Sequence, residues 1–194
     1  SVIRQMSTDK SHWLFYLALL VIGLAGSVAL LLSTPYGLGL VSDTVAYVNG
    51  AENIAKGNGY AETSSGGGYK PITHFPPMFS IFLAPISLLG LDVLKSARIM
   101  IVSLFGLDII LVGLLVHRIS HFILFSLLGA LLLAVSDILL EVYLYLMSEP
   151  LFITLILAAI LFFSLYFDNR RSGWLLLTGL LLGLASLTRF AGLW

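Results

Sequence analysis

Residues 13–32 read WLFYLALLVIGLAGSVALLL, a run of 20 residues without a charged side chain. A helix needs about 20 apolar residues to cross the hydrocarbon core of a bilayer, so this run predicts a membrane-spanning helix. Similar runs recur along the rest of the chain. We therefore predict an all-α, polytopic transmembrane helix bundle in one domain over residues 1–194, with spans at residues 12–33, 98–117, 122–141, 149–167 and 173–194.

The composition agrees with a membrane protein. Hydrophobic residues make up 59% of the chain, charged residues make up 10%, and the mean hydropathy is +1.03, which is more apolar surface than a soluble fold buries. The net charge is zero, so no basic field predicts nucleic-acid binding. The absence of cysteine excludes disulfides, thiolate metal sites and cysteine nucleophiles. The histidines are scattered and show no metal-binding spacing.

The interval at residues 34–97 is predicted to be one long loop. Within it, residues 77–91 are apolar, but the segment is short and contains Pro85. Such a segment suits an interfacial or re-entrant helix better than a span. We therefore expect juxtamembrane helices in this loop and no crossing at residues 77–91.

Charge bias predicts how the bundle is oriented, because short loops rich in Lys and Arg stay on the cytoplasmic side. With residues 77–91 not crossing, the outer face holds the 34–97 loop, the 141–149 turn and the Arg189 end of the last helix. The segments predicted inside contain the basic residues Arg4, Lys10, Arg118, Arg170 and Arg171.

Residues 42–60, SDTVAYVNGAENIAKGNGY, are the most informative part of the outer loop. Residues 42–56 predict a short amphipathic helix on the membrane surface, ended by the glycines at 57 and 59. Asp43 and Tyr47 are four residues apart and would share a face. Asp43 has two interpretations, a helix N-cap and a catalytic carboxylate. The predicted apolar stripe consists of Val45, Val48, Ala51 and Ala55.

Three cations of the predicted outer face could meet an anion. Lys70 and His74 lie just before the proline pair that returns the chain to the membrane, where a lipid phosphate would be in reach. Arg189 follows about ten residues of apolar helix, and its planar guanidinium suits a phosphate or a carboxylate. The alternative is that these side chains only extend to the polar surface.

Acidic residues also occur within or beside the predicted spans. Asp108 and Asp137 are costly in a membrane and predict either a function or a polar partner; for Asp108 we expect a partner in helices beyond this chain. Glu149 opens a predicted helix, where Ser148 would be the N-cap and Pro150 would occupy the first turn. The N-terminal helix dipole favours a carboxylate at this position, so a structural role would suffice for Glu149.

Taken in order, these segments resemble the polytopic GT-C glycosyltransferases, such as the dolichyl-phosphate-mannose protein mannosyltransferases and the bacterial lipid A aminoarabinose transferases. Asp43 lacks the neighbouring second acid of the protein mannosyltransferases, which favours the bacterial and archaeal members and a prokaryotic plasma membrane over the endoplasmic reticulum. Family members have further spans, so we expect the chain to be the N-terminal part of a larger fold. The matching residues are Asp43, Tyr47, Ala51, 57–60, Lys70, His74, Pro76, Pro77, Glu149 and the GxxxGLxxLTR segment at 179–189.

The resemblance implies transfer of a sugar, with inversion, from a polyprenyl- or dolichyl-phosphate donor to a lipid, glycan or protein acceptor. The transfer would take place on the outer or lumenal face of the membrane. Asp43 would be the general base or would orient the acceptor, and Glu149 would be a second catalytic residue. A divalent cation is possible in the family, with no ligands identified here. The residues expected to bind substrate are Tyr47, Tyr60, Lys70, His74, Asp137 and Arg189.

Two other functions stay open. An ion- or proton-coupled transporter would use Asp108 and Asp137, and a non-catalytic membrane scaffold would use neither set of residues. The glycosyltransferase hypothesis requires Asp43, Glu149 and Arg189 to lie together at one end of the bundle. In Gly179-x-x-x-Gly183 we also predict a face for close helix packing.

Overall fold

The structure is a computed structural model that describes residues 2–64 and 66–193, with side chains for 13–64 and 66–192. The side chains of Arg4 and Lys10 thus lie outside the described residues. The predicted all-α class is confirmed, with one short β-hairpin added. The elements are α1 (Val2–Ser33), α2 (Ser42–Ala55), β1 (Ala61–Thr63), β2 (Tyr69–Pro71), α3 (Met78–Leu88), α4 (Val93–Ser120), α5 (Ile123–Val135), α6 (Asp137–Leu144), α7 (Glu149–Asn169), α8 (Ser172–Thr188) and a 3-10 turn, Phe190–Leu193.

Three described helices are long and apolar enough to cross a membrane, namely the Trp13–Ser33 part of α1, α4 and α7. The pair α5 and α6 is a fourth candidate if the two pieces form one broken span. The fifth predicted span is the shorter helix α8, of 17 residues. Helix α3 has 11 residues and is therefore about 16 Å long, against about 30 Å of hydrocarbon core. This length agrees with a segment that does not cross.

The third predicted span is not continuous. Helix α5 ends at Val135, Ser136 is extended, and α6 begins at Asp137 with a bend of 54° between the two helices. The break places the Asp137 carboxylate in the first turn of α6, where the N-terminal helix dipole favours a negative charge. Asp137, which is predicted within the third span, therefore lies where that span is broken between α5 and α6.

Helices α1 and α4 approach each other closely at a pair of glycines. A Cβ atom added to Gly106 would lie 2.8 Å from the carbonyl oxygen of Gly23, and the Ser27 hydroxyl donates a 3.0 Å hydrogen bond to the Val102 carbonyl across the same contact. At Gly179 and Gly183 of α8, an added Cβ would meet no described atom within 4 Å. The prediction of close packing at these two glycines is therefore wrong within the described residues.

Replacing Gly106 by alanine should destabilise the bundle by about 1–3 kcal/mol, because the added methyl overpacks the helix contact. The matched change Gly179→Ala enters open space and should stabilise α8 by up to about 1 kcal/mol through its higher helix propensity. Reversible unfolding of the two variants in detergent micelles would measure both changes. Equal stability of the two variants would contradict the assignment of the tight contact to Gly106.

The two ends of the bundle differ in character. At one end, Arg118 of α4 donates a 2.6 Å hydrogen bond to Asp168 at the end of α7. The basic end of α4 therefore lies beside the turn after α7 that holds Arg170 and Arg171, as the charge bias predicts. At the other end lie α2, the hairpin, α3 and the loop between α6 and α7. This second end, called the α2 end below, also receives the C-terminus of α8.

Candidate active site at the α2 end of the bundle

The start of α2 is bound to the segment that joins α6 and α7. The Gly39 N–H donates to the Leu144 carbonyl at 2.7 Å, and the Leu146 N–H donates to the Gly39 carbonyl at 2.9 Å. The buried Thr44 hydroxyl donates to the Leu146 carbonyl at 2.8 Å. Together these three bonds, of which the one from Thr44 is buried, hold the first turn of α2 beside the beginning of α7.

Asp43 does not cap α2. The N-cap residue is Val41, and its N–H donates at 3.0 Å to the hydroxyl of Thr44, so the capping interpretation of Ser42 and Asp43 is wrong. The Asp43 side chain is half-buried and accepts a 3.0 Å hydrogen bond from the neighbouring Ser42 hydroxyl. It forms no ion pair with a described residue. The carboxylate is therefore available to accept a proton or a hydrogen bond from a bound molecule.

Tyr47 is the centre of the site. Its side chain is buried, and its hydroxyl lies 3.0 Å from the hydroxyl of Ser148. Burial raises the pKa of Tyr47; the Ser148 hydrogen bond and the charge of Arg189 oppose this rise, whereas the charges of Glu149 and Asp43 reinforce it. Asp43 precedes Tyr47 by one turn of α2, and Ser148, which contacts the Tyr47 hydroxyl, is followed by Glu149, which pairs with Arg189. These contacts place the three charged residues near Tyr47.

Glu149 and Arg189 form an ion pair between the start of α7 and the end of α8. The two side chains are 26% and 37% exposed, respectively, so they lie at the margin of the bundle. Ser148 is the N-cap residue of α7, as expected, but its hydroxyl makes no capping hydrogen bond and lies against the Tyr47 hydroxyl instead. The predicted helix at 173–194 also ends early: Arg189 is extended with φ −146° and ψ 142°, which turns the chain and directs Arg189 to Glu149.

Tyr60 packs against α2 at Gly50. An added Cβ on Gly50 would lie 2.6 Å from the Tyr60 ring and 2.9 Å from the Ser80 hydroxyl, so only glycine allows α2 to approach these side chains. The Ser80 hydroxyl donates to the Tyr47 carbonyl at 2.9 Å. Burial raises the pKa of Tyr60 to about 12. The structure thus places Tyr60 in contact with α2, the helix that carries Asp43 and Tyr47.

The predicted apolar stripe of α2 is correct only in part. Ala51 is buried and Val48 packs against the core, but Val45 is 60% exposed. The buried face also includes the polar Asn53, which donates a 2.8 Å hydrogen bond to the Ala61 carbonyl. The helix packs against α3 and β1, and these partners select the buried face. The residues of α2 that are buried are Thr44, Ala46, Tyr47, Gly50, Ala51 and Asn53.

Three residues expected to bind substrate make no described hydrogen bond or ion pair with this cluster. Lys70 is 3.8 Å from the Glu62 carboxylate across the hairpin, with its side chain 68% exposed. His74 is exposed and its ring centroid lies 5.7 Å from that of Phe75, whose ring is tilted against that of Tyr47 with the centroids 5.2 Å apart. Asp137 is exposed at the start of α6 and forms no ion pair with a described residue. His74 is the nearest of the three to the cluster by its chain of contacts.

Asp108 has its partner within the chain. The buried Tyr143 hydroxyl donates a 2.6 Å hydrogen bond to one oxygen of the Asp108 carboxyl group, which is itself 0% exposed. This oxygen therefore has its partner within the chain, whereas Asp108 Oδ1 is buried and makes no hydrogen bond with a described residue. The contact joins the middle of α4 to α6, close to the loop that holds α2.

Metal ligands do not gather in the described part of the chain. No three side chains of His, Asp or Glu in residues 13–64 and 66–192 form a group that could hold a metal ion. Of the acids at the α2 end, Glu149 is already paired with Arg189. We therefore derive no chemical step through a metal.

Replacing Tyr47 by phenylalanine should destabilise the protein by about 1–3 kcal/mol, because the buried Ser148 hydroxyl loses its partner. The double variant Tyr47→Phe/Ser148→Ala removes both polar groups and should cost less than the sum of the two single changes. Unfolding of the three variants in the same detergent gives this double-mutant cycle. Additive costs would show that the two hydroxyls do not interact.

Comparisons of the chain with protein-family models, with curated proteins and with solved structures each give no match. Function is therefore argued from the cluster around Tyr47 and from the chemistry of its residues.

Proposed function

We propose that this protein is a membrane glycosyltransferase that moves a sugar from a polyprenyl- or dolichyl-phosphate donor to a lipid, glycan or protein acceptor. The observation that carries the proposal is the grouping of Asp43, Glu149 and Arg189 near Tyr47 at one end of an apolar helix bundle. This end holds the Asp43 carboxylate, which forms no ion pair with a described residue, and the Arg189 guanidinium. Both groups adjoin apolar helices. Transfer of a sugar from a lipid phosphate to a hydroxyl group can use the carboxylate as a base for the hydroxyl and the guanidinium for the departing phosphate.

Asp43 acts as the general base of the proposed reaction. An acceptor hydroxyl attacks the anomeric carbon of the sugar, a new carbon–oxygen bond forms, and the hydroxyl proton passes to the Asp43 carboxylate. The bond from the anomeric carbon to the phosphate oxygen breaks, and its electron pair leaves with the polyprenyl phosphate. One displacement inverts the configuration at the anomeric carbon.

Arg189 stabilises the departing phosphate. Its guanidinium has five N–H donors, and the ion pair with Glu149 uses only part of them. The remaining donors can meet the charge that grows on the phosphate in the transition state. Glu149 is then a positioning residue, because it fixes the guanidinium where α7 and α8 meet. Tyr47 and Ser148 fix the distance between α2 and α7.

The transporter alternative depends on a path that contains Asp108 and Asp137. One oxygen of Asp108 accepts a hydrogen bond from Tyr143, and its Oδ1 makes none with a described residue. Asp137 lies on the exposed side of α6, and no described hydrogen bond joins the two acids. The polar grouping around Tyr47 has no role in that alternative. For this reason we favour the glycosyltransferase.

The test is a transfer assay with the full-length protein reconstituted into liposomes. Radiolabelled undecaprenyl-phosphate mannose and undecaprenyl-phosphate glucose are supplied as donors, with GDP-mannose and UDP-glucose as comparisons, and membrane lipids and polypeptides of the host as acceptors. We expect label to leave a polyprenyl-phosphate donor and to appear in an acceptor fraction, with no transfer from the nucleotide sugars. Transfer from nucleotide sugars alone would contradict the donor class. Failure with a broad panel of polyprenyl-phosphate sugars would favour the scaffold.

A further inference from the structure

A second cleft lies at the α2 end, on the side where α1 and α4 meet. It has a volume of about 330 Å³ and is bounded by the turn after α1, the first turns of α4 and the loop before α7. Its wall is part apolar and part cationic. The lining residues used below are Tyr36, Leu40, Leu94, Lys95 and Arg98.

Arg98 supplies a guanidinium with free donors. Its Nε donates to the Thr34 hydroxyl at 3.2 Å and its Nη2 donates to the Leu31 carbonyl at 2.6 Å, so the side chain is fixed against the end of α1. Its Nη1 makes no hydrogen bond with a described residue, and no described carboxylate lies within ion-pair distance of the guanidinium. An arginine held in this way can present its remaining N–H groups to an anion.

Lys95 adds a second cation to the cleft. Its ammonium is 3.6 Å from the Asp92 carboxylate, and its side chain is 85% exposed. The Asp92 carboxylate already accepts hydrogen bonds from the N–H groups of Leu94 and Lys95, which lowers its pKa. With Arg98 included, the lining carries one positive charge in excess, since two cations face one carboxylate. The cleft is therefore suited to a group of about one negative charge.

The apolar part of the cleft indicates that the anion belongs to a lipid. Leu40 and Leu94 are 60% and 42% exposed, and the Tyr36 side chain is fully exposed at the same place. Tyrosine beside exposed leucines at the end of a membrane helix is typical of the interface between headgroups and acyl chains. A guanidinium and an ammonium suit the phosphate of a lipid headgroup, whereas a soluble anion gains nothing from the leucines.

We propose that this cleft binds the phosphate group of a membrane phospholipid, held by Arg98 and Lys95, with the acyl chains of the lipid against Leu40 and Leu94. The site is separate from the cluster around Tyr47 and does not depend on the proposed glycosyltransferase activity. Leu146 lines the cleft and its carbonyl accepts the hydrogen bond from Thr44. The bound lipid therefore contacts the same loop that holds α2.

The experiment is native mass spectrometry of the delipidated full-length protein, titrated with phosphatidylglycerol. Arg98→Gln should weaken binding by about tenfold or more, as expected for the loss of a charge-assisted hydrogen bond. Lys95→Gln removes an exposed charge without touching the contacts of α1, and should weaken binding by about threefold. The matched control is Lys56→Gln, because Lys56 is also exposed and paired with an acid on its own helix. This control should bind like the wild type.

Two further titrations separate the sources of the phosphate. Diacylglycerol, which lacks the phosphate, should bind more weakly than phosphatidylglycerol, and millimolar inorganic phosphate should not displace the lipid. Displacement by inorganic phosphate would overturn the lipid assignment in favour of a free phosphate. Equal binding by wild type, Lys95→Gln and Arg98→Gln, with circular dichroism showing all three folded, would overturn the phosphate site altogether.

Discussion

Replacing Asp43 by asparagine should lower the turnover rate of sugar transfer by about 10²- to 10⁴-fold, the usual contribution of a general base. Asparagine keeps the size of the side chain and can still accept the hydrogen bond from Ser42, but it cannot take a proton. Because Asp43 does not cap α2, its loss should leave the helix and the fold in place. Initial rates with saturating polyprenyl-phosphate donor, measured in liposomes, would give the change in turnover.

The matched control is Glu52→Gln on the same helix. Glu52 is paired with the exposed Lys56 at 3.3 Å and has no role in the proposed reaction, so this variant should transfer sugar at the wild-type rate. Thermal unfolding of both variants, followed by circular dichroism, would show that α2 is intact. Wild-type turnover by Asp43→Asn would remove Asp43 from the catalytic assignment. An equal loss in the two variants would point to a general effect of charge on α2.

The helices of the bundle could be predicted from the sequence because the length of an apolar run is a local property. The ends and faces of these helices could not, because distant residues determine them. Helix α8 ends where Arg189 turns to a carboxylate on another helix, and the face of α2 follows from partners such as Ala61 and Ser80. An amphipathic pattern with a weak apolar stripe does not select between two faces until the neighbouring elements are known.

The site could be predicted in part. Charge bias in the loops predicted that Asp43, Glu149 and Arg189 share one side, and the three residues do lie at the same end of the bundle. The hydrogen bond between Tyr47 and Ser148 joins residues 101 positions apart, and no local pattern reports such a pair. Ser148 had a sufficient local explanation as an N-cap, which concealed its contact. Thr44 was missed for the same reason, since its hydroxyl serves both the first turn of α2 and the loop before α7.

Replacing Arg189 by glutamine should lower the turnover rate by about 10²- to 10³-fold, which is the usual effect of removing one donor that stabilises transition-state charge. Glu149→Gln should have a smaller effect of about tenfold, because Arg189 keeps its charge and loses only its orientation. If Glu149 acts through Arg189, the double variant should be no slower than Arg189→Gln alone. The measurement is a double-mutant cycle in turnover rate and in KM for the donor.

A purely structural ion pair would give another pattern. The matched control is Arg118→Gln, which breaks the ion pair with Asp168 at the opposite end of the bundle and should change stability without changing the turnover rate per folded molecule. If Arg189→Gln behaves like this control, the Glu149–Arg189 pair only joins α7 to α8. The other outcome is that the loss of turnover persists after correction for the folded fraction and that Arg189→Lys partly restores turnover. Such a result would show that a cation is needed where the phosphate leaves. Arg189 would then have two partners in turn, the Glu149 carboxylate in the resting protein and the lipid phosphate during transfer.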